Sequence, residues 1–248
     1  MQNRQIVLKA HPQGAPTPDD FGLSTCEAPT PGSGQMLVRN LFFSLEAAIR
    51  GWLDGKANYF EPIPLGGAIR GPSVAKVLTS HLPGFKAGDL IFGLHHWEDY
   101  SLSDANTILL SKLTPEADIP LSYYAGGLGG SGHTAYVGLH EIGKIQAGDT
   151  VVISAAAGAT GSMATQIAKL RGCKVVGIVG GDNKCQIVTD TLGADAAINY
   201  KTCEDLTSAI HEACPEGVDV YFDNVGGKTL DAALSCMNTF GRIIGCGM

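Results

Sequence analysis

Val151-Val152-Ile153-Ser154-Ala155-Ala156-Ala157-Gly158-Ala159-Thr160-Gly161 is the stretch on which the reading of this chain turns. Residues 151–154 form a short apolar run of strand type. A turn of small residues follows, and residues 160–171 then place Met163, Ile167 and Leu170 at helical spacing. Small side chains let the backbone approach a pyrophosphate closely, and the unpaired amide hydrogens of the following helix face it. Gly158 and Gly161 stand three apart, but Ala156 occupies the position where the usual fingerprint has its first glycine. Two readings are therefore open at this point: a dinucleotide phosphate site made by Ala155, Ala156, Gly158, Ala159, Thr160 and Gly161, or a glycine turn that serves close packing of strand on helix.

Downstream the same rhythm repeats. Strands are expected over 174–179, 196–198, 218–222 and 241–246, with helices over 182–192, 203–213 and 228–237. Strands alternating with helices of this length build a parallel sheet covered on both faces. Upstream, residues 123–132 contain five glycines and lead into an apolar helical pattern over 134–139, a natural connection. Before it lie short strands over 5–8, 36–44, 89–94 and 99–102, and a bent strand over 73–79, where Val74, Val77 and Leu78 break alternation. The proline and glycine clusters between them suit the corners of a small barrel and would end any helix. The expected organisation is α/β: a barrel-like domain over 1–128, then a doubly wound, Rossmann-type domain over 129–248.

Cofactor preference turns on the tip of the second strand. An NAD pocket usually places a carboxylate there, roughly 20 residues beyond the glycines, to hold the ribose hydroxyls. Here the strand runs into Gly180 and Gly181, with Lys184 in the first turn of the next helix and Tyr200 closing the third strand. An ammonium in that position can meet the 2'-phosphate of NADP, although the same lysine also reads as an ordinary solvated side chain. Asp182 is close in sequence, and as a helix N-cap it would turn back into its own first turn. Asn224, after the strand over 218–222, either reaches the cofactor ribose or nicotinamide or, with Asp223, shapes a turn.

Composition excludes other classes. The 248 residues carry a formal charge of −7 shared by both halves, so neither is a nucleic-acid platform. The 33 glycines are about double the ordinary usage of about 7%. No run of 18 apolar residues suggests a membrane span. Seven cysteines, an odd number in a chain too long to need disulfides, point to a reducing, cytoplasmic setting. No two cysteines lie two to four residues apart, so a structural zinc cluster is not expected. His95 and His96 are adjacent and would point to opposite faces of a strand. No tyrosine is followed four residues later by lysine, and Ser131 does not sit on a hydrolase elbow. Hydride transfer needs none of these groups, because the cofactor supplies the chemistry.

Taken together, Asn3 to Gln5, Pro18 to Phe21, residues 34–41, Arg50 and Gly51, Gly129, Gly132 and Thr134 to Tyr136, and residues 155–161, 180–184, 198–201 and 220–227 resemble one family. It is the zinc-free branch of the medium-chain dehydrogenase/reductases that contains the alkenal/one double-bond reductases. The resemblance implies NADPH as cofactor and an α,β-unsaturated aldehyde or ketone as substrate, with hydride delivered to the β-carbon and no metal. It implies that Lys184 and Tyr200 hold the 2'-phosphate, that residues 155–161 and Gly181 surround the rest of the cofactor, and that Asn224 lies toward the nicotinamide. Arg50 and Tyr59 would border the substrate cleft; the proton donor is left unassigned. A quinone reductase of the same superfamily and a catalytically silent NADP-binding protein are the competing readings.

Three departures from the family pattern are visible. Its Asp-Pro-Tyr-Met-Arg stretch reads Glu46-Ala47-Ala48-Ile49-Arg50 here, which replaces a tyrosine near the substrate by Ala48. A common Met-Pro pair is Gly130-Ser131. The family also continues past a segment like Cys246-Gly247 into a sixth strand, which carries the dimer contact, and back to the first domain. This sequence stops at Met248, so five parallel strands, an incomplete catalytic domain, no dimer strand and marginal solubility are expected.

Overall fold

In the computed structural model, residues 1–56 and 60–247 are described, and they form two compact units, Met1–Gly126 and Gly127–Met248. Among the described residues the first unit holds seven strands: β1 (Gln2–Leu8), β2 (Phe21–Glu27), β3 (Gln35–Phe43), β4 (Arg70–Ser80), β5 (Leu90–His96), β6 (Tyr100–Asp104) and β7 (Ser111–Leu113). β1 and β2 form an antiparallel hairpin, and the other five make an antiparallel sheet in the order β6-β3-β4-β5-β7. Among the described residues this sheet has open edges at β6 and β7, so the expected barrel is not closed. β4 is the irregular strand. Opposite β3 its register slips so that Leu37 faces Thr79 and Val38 faces Val77, leaving Leu78 as the extra residue of a bulge. That slip, with burial of both faces over Gly71 to Ala75, is why the segment lacks alternation.

Asn3 ties the hairpin to the main sheet. Its amide donates to Glu98 Oε2 and to the Tyr100 carbonyl, both at 2.9 Å, and its Oδ1 accepts from the Tyr100 amide at 2.9 Å. Two apolar clusters fill the unit. One is Leu8, Ile49, Trp52, Leu53, Ile63 and Ile69; the other is Met36, Val38, Ala75, Val77 and Ile91.

The second unit carries β8 (Thr150–Ser154), β9 (Lys174–Val179), β10 (Ala196–Asn199), β11 (Val218–Asp223) and β12 (Met237–Gly245), all parallel in the order β10-β9-β8-β11-β12. Its helices are α1 (Gly130–Val137), α2 (Ala159–Leu170), α3 (Asp182–Gln186), α4 (Leu206–Ala213) and α5 (Gly227–Leu234). Successive residues of the strands feed opposite layers, except across the register shift in β11, where Val218 and Val220 fall in different layers. Val151, Ile153, Val175, Val220 and Phe222 pack on α1 and α2, while Val152, Val176, Ile178, Val218 and Tyr221 pack on α4 and α5. This two-sided burial explains the continuous apolar runs of β8 and β9.

In the second unit, two helices end differently from expectation. The helix after Asp182 is α-helical only to Gln186 and continues as a π-type turn over Ile187–Thr191. The last helix stops at Leu234 and not at 237, because Met237 already pairs with Val218 as the first residue of β12.

Candidate cofactor site

In a sheet of order β10-β9-β8-β11-β12 the chain reverses direction of build-out between β8 and β11, and ligands of such sheets collect beyond the carboxyl ends there. At that place Ala155 follows β8 with a φ of 48°, in the left-handed region that non-glycine residues enter at a cost. The turn closes with the Gly158 amide on the Ala155 carbonyl at 2.8 Å. A Cβ on Gly161 would stand 2.2 Å from the Ala155 carbonyl oxygen and 2.9 Å from Ala156 Cα, so only glycine lets α2 start this close to the strand. Gly158, the N-cap of α2, offers the first-turn amides no side-chain acceptor. An anionic group fits that need.

Both readings of the glycine turn are thus visible in one structure. Gly161 and the fully buried Ala156 serve packing, while Ala155, Ala157 and Gly158 line a cavity of about 320 Å³. Ser154, Ile178, Val179, Gly180, Lys184, Tyr200, Lys201, Val225 and Thr229 complete its wall. Ala159, Thr160, Gly181 and Asn224, also chosen from sequence, stand beside this wall and not in it. Lys201 was missed; its signal was its place next to Tyr200 at the exit of the third strand. Two ammonium groups and a phenol therefore face one cavity, and no carboxylate is part of its lining.

Gly180 explains the placement of Tyr200. A Cβ there would lie 2.8 Å from the Tyr200 hydroxyl and from Cε1, so the ring rests directly against the tip of β9. The Tyr200 amide donates to the Val179 carbonyl at 3.0 Å. The N-cap of α3 is Gly181, not Asp182. The Asp182 carboxylate does not turn into its own helix; its Oδ1 accepts from Asn199 Nδ2 at 2.6 Å, which corrects the N-cap expectation.

On the other side, Asn224 is a strut. Its amide donates to Ser154 Oγ and its side-chain Nδ2 to the Ser154 carbonyl, both at 2.8 Å, clamping the exits of β8 and β11 together. Asp223 is buried and its Oδ1 accepts from Ser154 Oγ, Tyr221 Oη and the amides of Val225 and Gly226 at 2.9 to 3.2 Å. Burial pushes the Tyr221 phenol up, so it remains a donor. Asp223 and Asn224 hold the turn that brings Val225 to the cavity.

Of the expected cleft residues in the first unit, Arg50 is engaged locally. Its guanidinium donates to the Gly14 carbonyl at 2.9 Å and the Pro12 carbonyl at 3.1 Å and pairs with Asp54. Tyr59 lies outside the described residues. His95 and His96 face opposite ways, the first buried and the second exposed.

Comparison with known proteins first sets the class. Residues 4–110 match the family model described as the N-terminal domain of oxidoreductase, and residues 159–248 the one described as zinc-binding dehydrogenase. This pairing is that of the medium-chain dehydrogenase/reductases. The chain is 40% identical over 247 residues to the NADPH-dependent curcumin reductase of Escherichia coli, covering 100% of this chain and 70% of that protein. It is 41% identical over 252 residues to the NADP-dependent 2-alkenal reductase of Nicotiana tabacum, covering 100% of this chain and 73% of that one. The crystal structure of CurA from Vibrio vulnificus superposes with a TM-score of 0.90 at 42% identity, over 99% of this chain and 71% of that one. The chain belongs to the alkenal/one double-bond reductase branch of this superfamily. Despite the wording of the second family description, no three His, Cys, Asp or Glu side chains among the described residues converge in a way that could hold a metal ion. The donor set does not fit zinc.

Proposed function

We propose that this protein is an NADPH-dependent reductase of the carbon-carbon double bond of α,β-unsaturated aldehydes or ketones. The observation that carries the cofactor half is the cavity at the carboxyl end of β8 and β9, where Lys184, Lys201 and Tyr200 converge and no carboxylate lines the wall. Its substrate half is supported by relatives at about 40% identity whose names are curcumin, 2-alkenal, prostaglandin and pulegone reductase. A related structure at 42% identity is described as a complex with NADPH.

When bound, the nicotinamide supplies the hydride. The chain's own part is to bind and orient. Ala155, Ala156, Gly158, Ala159, Thr160 and Gly161 form the backbone cradle for the pyrophosphate, with Ala156 and Gly161 acting through close packing. Lys184 and Tyr200 receive the 2'-phosphate at the β9 and β10 exits, and Gly181 starts the helix that carries Lys184. Asn224 fixes the turn on the nicotinamide side. Residues 129–248 are the NADP-binding domain and residues 1–128 the substrate domain, to which Arg50 contributes by holding the Pro12 to Gly14 loop. Seven free cysteines suit a reducing compartment, in keeping with a cytoplasmic place. No described helix is long and apolar enough to cross a membrane.

Lys184→Ala tests the cofactor half. An exposed charge-assisted contact to phosphate is worth about 1–3 kcal/mol, so NADPH affinity should fall about tenfold to a hundredfold while NADH affinity holds. Equal losses for both would refute the assignment. Oxidation of NADPH in the presence of a simple enone tests the substrate half, and faster turnover of quinones than of enones at matched concentration would overturn it.

A further inference from the structure

Asn199, the last residue of β10, makes more contacts than a strand end needs. Its Nδ2 donates to Asp182 Oδ1 at 2.6 Å, its Oδ1 accepts from the Lys201 amide at 3.1 Å, and its carbonyl accepts from the amides of Thr202 and Cys203 at 3.1 Å. One side chain thus joins the exit of β10, which carries Tyr200 and Lys201, to the first residue of α3, which carries Lys184. Asp182 is the carboxylate nearest in sequence to Lys184. It is exposed, and free of its partner it could turn toward the cavity mouth. Held by Asn199, it is kept out of the cavity lining. The bond thus links the two elements that carry the cationic groups, with the Asp182 carboxylate outside the lining they share.

We propose that Asp182 and Asn199 are a positioning pair that sets selectivity for a 2'-phosphorylated adenosine. This rests on the reading that Lys184 and Tyr200 receive the 2'-phosphate. The ligand class is a phosphomonoester dianion on a ribose, and the pair touches neither the phosphate nor the reacting atoms. Asn199→Leu releases the carboxylate and unties the two exits. Asn199→Asp sets a second carboxylate against the first, and the two repel beside the lysines. The exchange Asp182→Asn with Asn199→Asp restores one donor and one acceptor across the gap, keeps the acceptor for the Lys201 amide, and leaves the net charge unchanged.

The test measures binding of 2',5'-ADP and of 5'-AMP to the full chain by calorimetry, so that turnover plays no part. The ratio of the two affinities is the readout. Asn199→Leu and Asn199→Asp should each lower the ratio about tenfold, the order expected for one charge-assisted contact. The exchange variant should bring it back to within about twofold of the parent. A general loss of structure would weaken both ligands alike and leave their ratio unchanged. Should Asn199→Leu not fold, Asn199→Asp and the exchange variant carry the comparison. An unchanged ratio in the single variants, or no recovery in the exchange, overturns the proposal. Lys184→Ala run alongside separates the two claims: if it leaves the ratio unchanged, the phosphate reading itself fails, whereas a selective Lys184→Ala with silent Asn199 variants sinks only the positioning pair.

Discussion

Lowering the pH from 7 to 5 should destabilise the first unit through one side chain. His95 is buried among hydroxyls, with Nδ1 2.7 Å from Ser73 Oγ and Nε2 3.2 Å from Ser103 Oγ. Burial, with a smaller push from His96 next door, lowers its pKa from 6.5 to about 4. The native state therefore resists a proton that the unfolded chain accepts from about pH 6.5 downward. Stability is complete above that pH and falls as the pH drops toward 4. The loss works out at about 2 kcal/mol between pH 7 and pH 5 and about 3 kcal/mol by pH 4. The protein's two tryptophans, Trp52 and Trp97, both lie in this unit, so urea titrations followed by tryptophan fluorescence report its unfolding selectively. His95→Gln keeps a donor and an acceptor but has nothing to titrate. Its stability should be nearly flat between pH 7 and 5, whatever its absolute value. Parallel losses in the parent and in His95→Gln would refute the reasoning.

Three further outcomes follow from the packing. Gly161→Ala, whose new methyl carbon would meet the Ala155 carbonyl oxygen at 2.2 Å, should cost about 2 kcal/mol or more in thermal melts and weaken 2',5'-ADP binding as α2 shifts away from the turn. Asn3→Ala removes one donor from the buried Glu98 carboxylate and both bonds to Tyr100, and should cost roughly 2–3 kcal/mol; a melting temperature equal to the parent's would show the stitch to be idle. Burial pushes the Cys214 thiol up to about 11, whereas Cys26 is exposed, so alkylation of the native protein at neutral pH should label Cys26 well before Cys214 as read by peptide mass spectrometry.

The second unit was far more legible in the sequence than the first, and the reason is periodic burial. β8 and β9 are covered on both faces, so their apolar runs stand out, and Lys174–Val179 is found with the bounds the pattern suggests. β2 escaped notice because it is an outer strand paired only with β1, and its alternation is mostly exposed. β7 is three residues long and offers no pattern. The end of α5 was misplaced because Met237 suits the apolar face of a helix and the start of a strand equally well, and only its pairing with Val218 decides. Lys184 and Tyr200 were legible as cavity-lining residues because each follows the end of a parallel strand, Lys184 in the first turn of the helix after β9 and Tyr200 directly after β10. The Asp182 to Asn199 bond was not, because it joins neighbouring strand exits whose side-chain directions no spacing encodes.

The resting of Tyr200 on Gly180 has a consequence for how such a protein changes partner over evolutionary time. Under the proposed function, the groups that would greet the adenosine end of a cofactor are exposed side chains at the rim of the sheet. On the function proposed here, the cell's choice of which reservoir of electrons this reductase draws from would be written in a few solvent-side letters. Gly180, beneath the ring, cannot be enlarged without pushing Tyr200 aside.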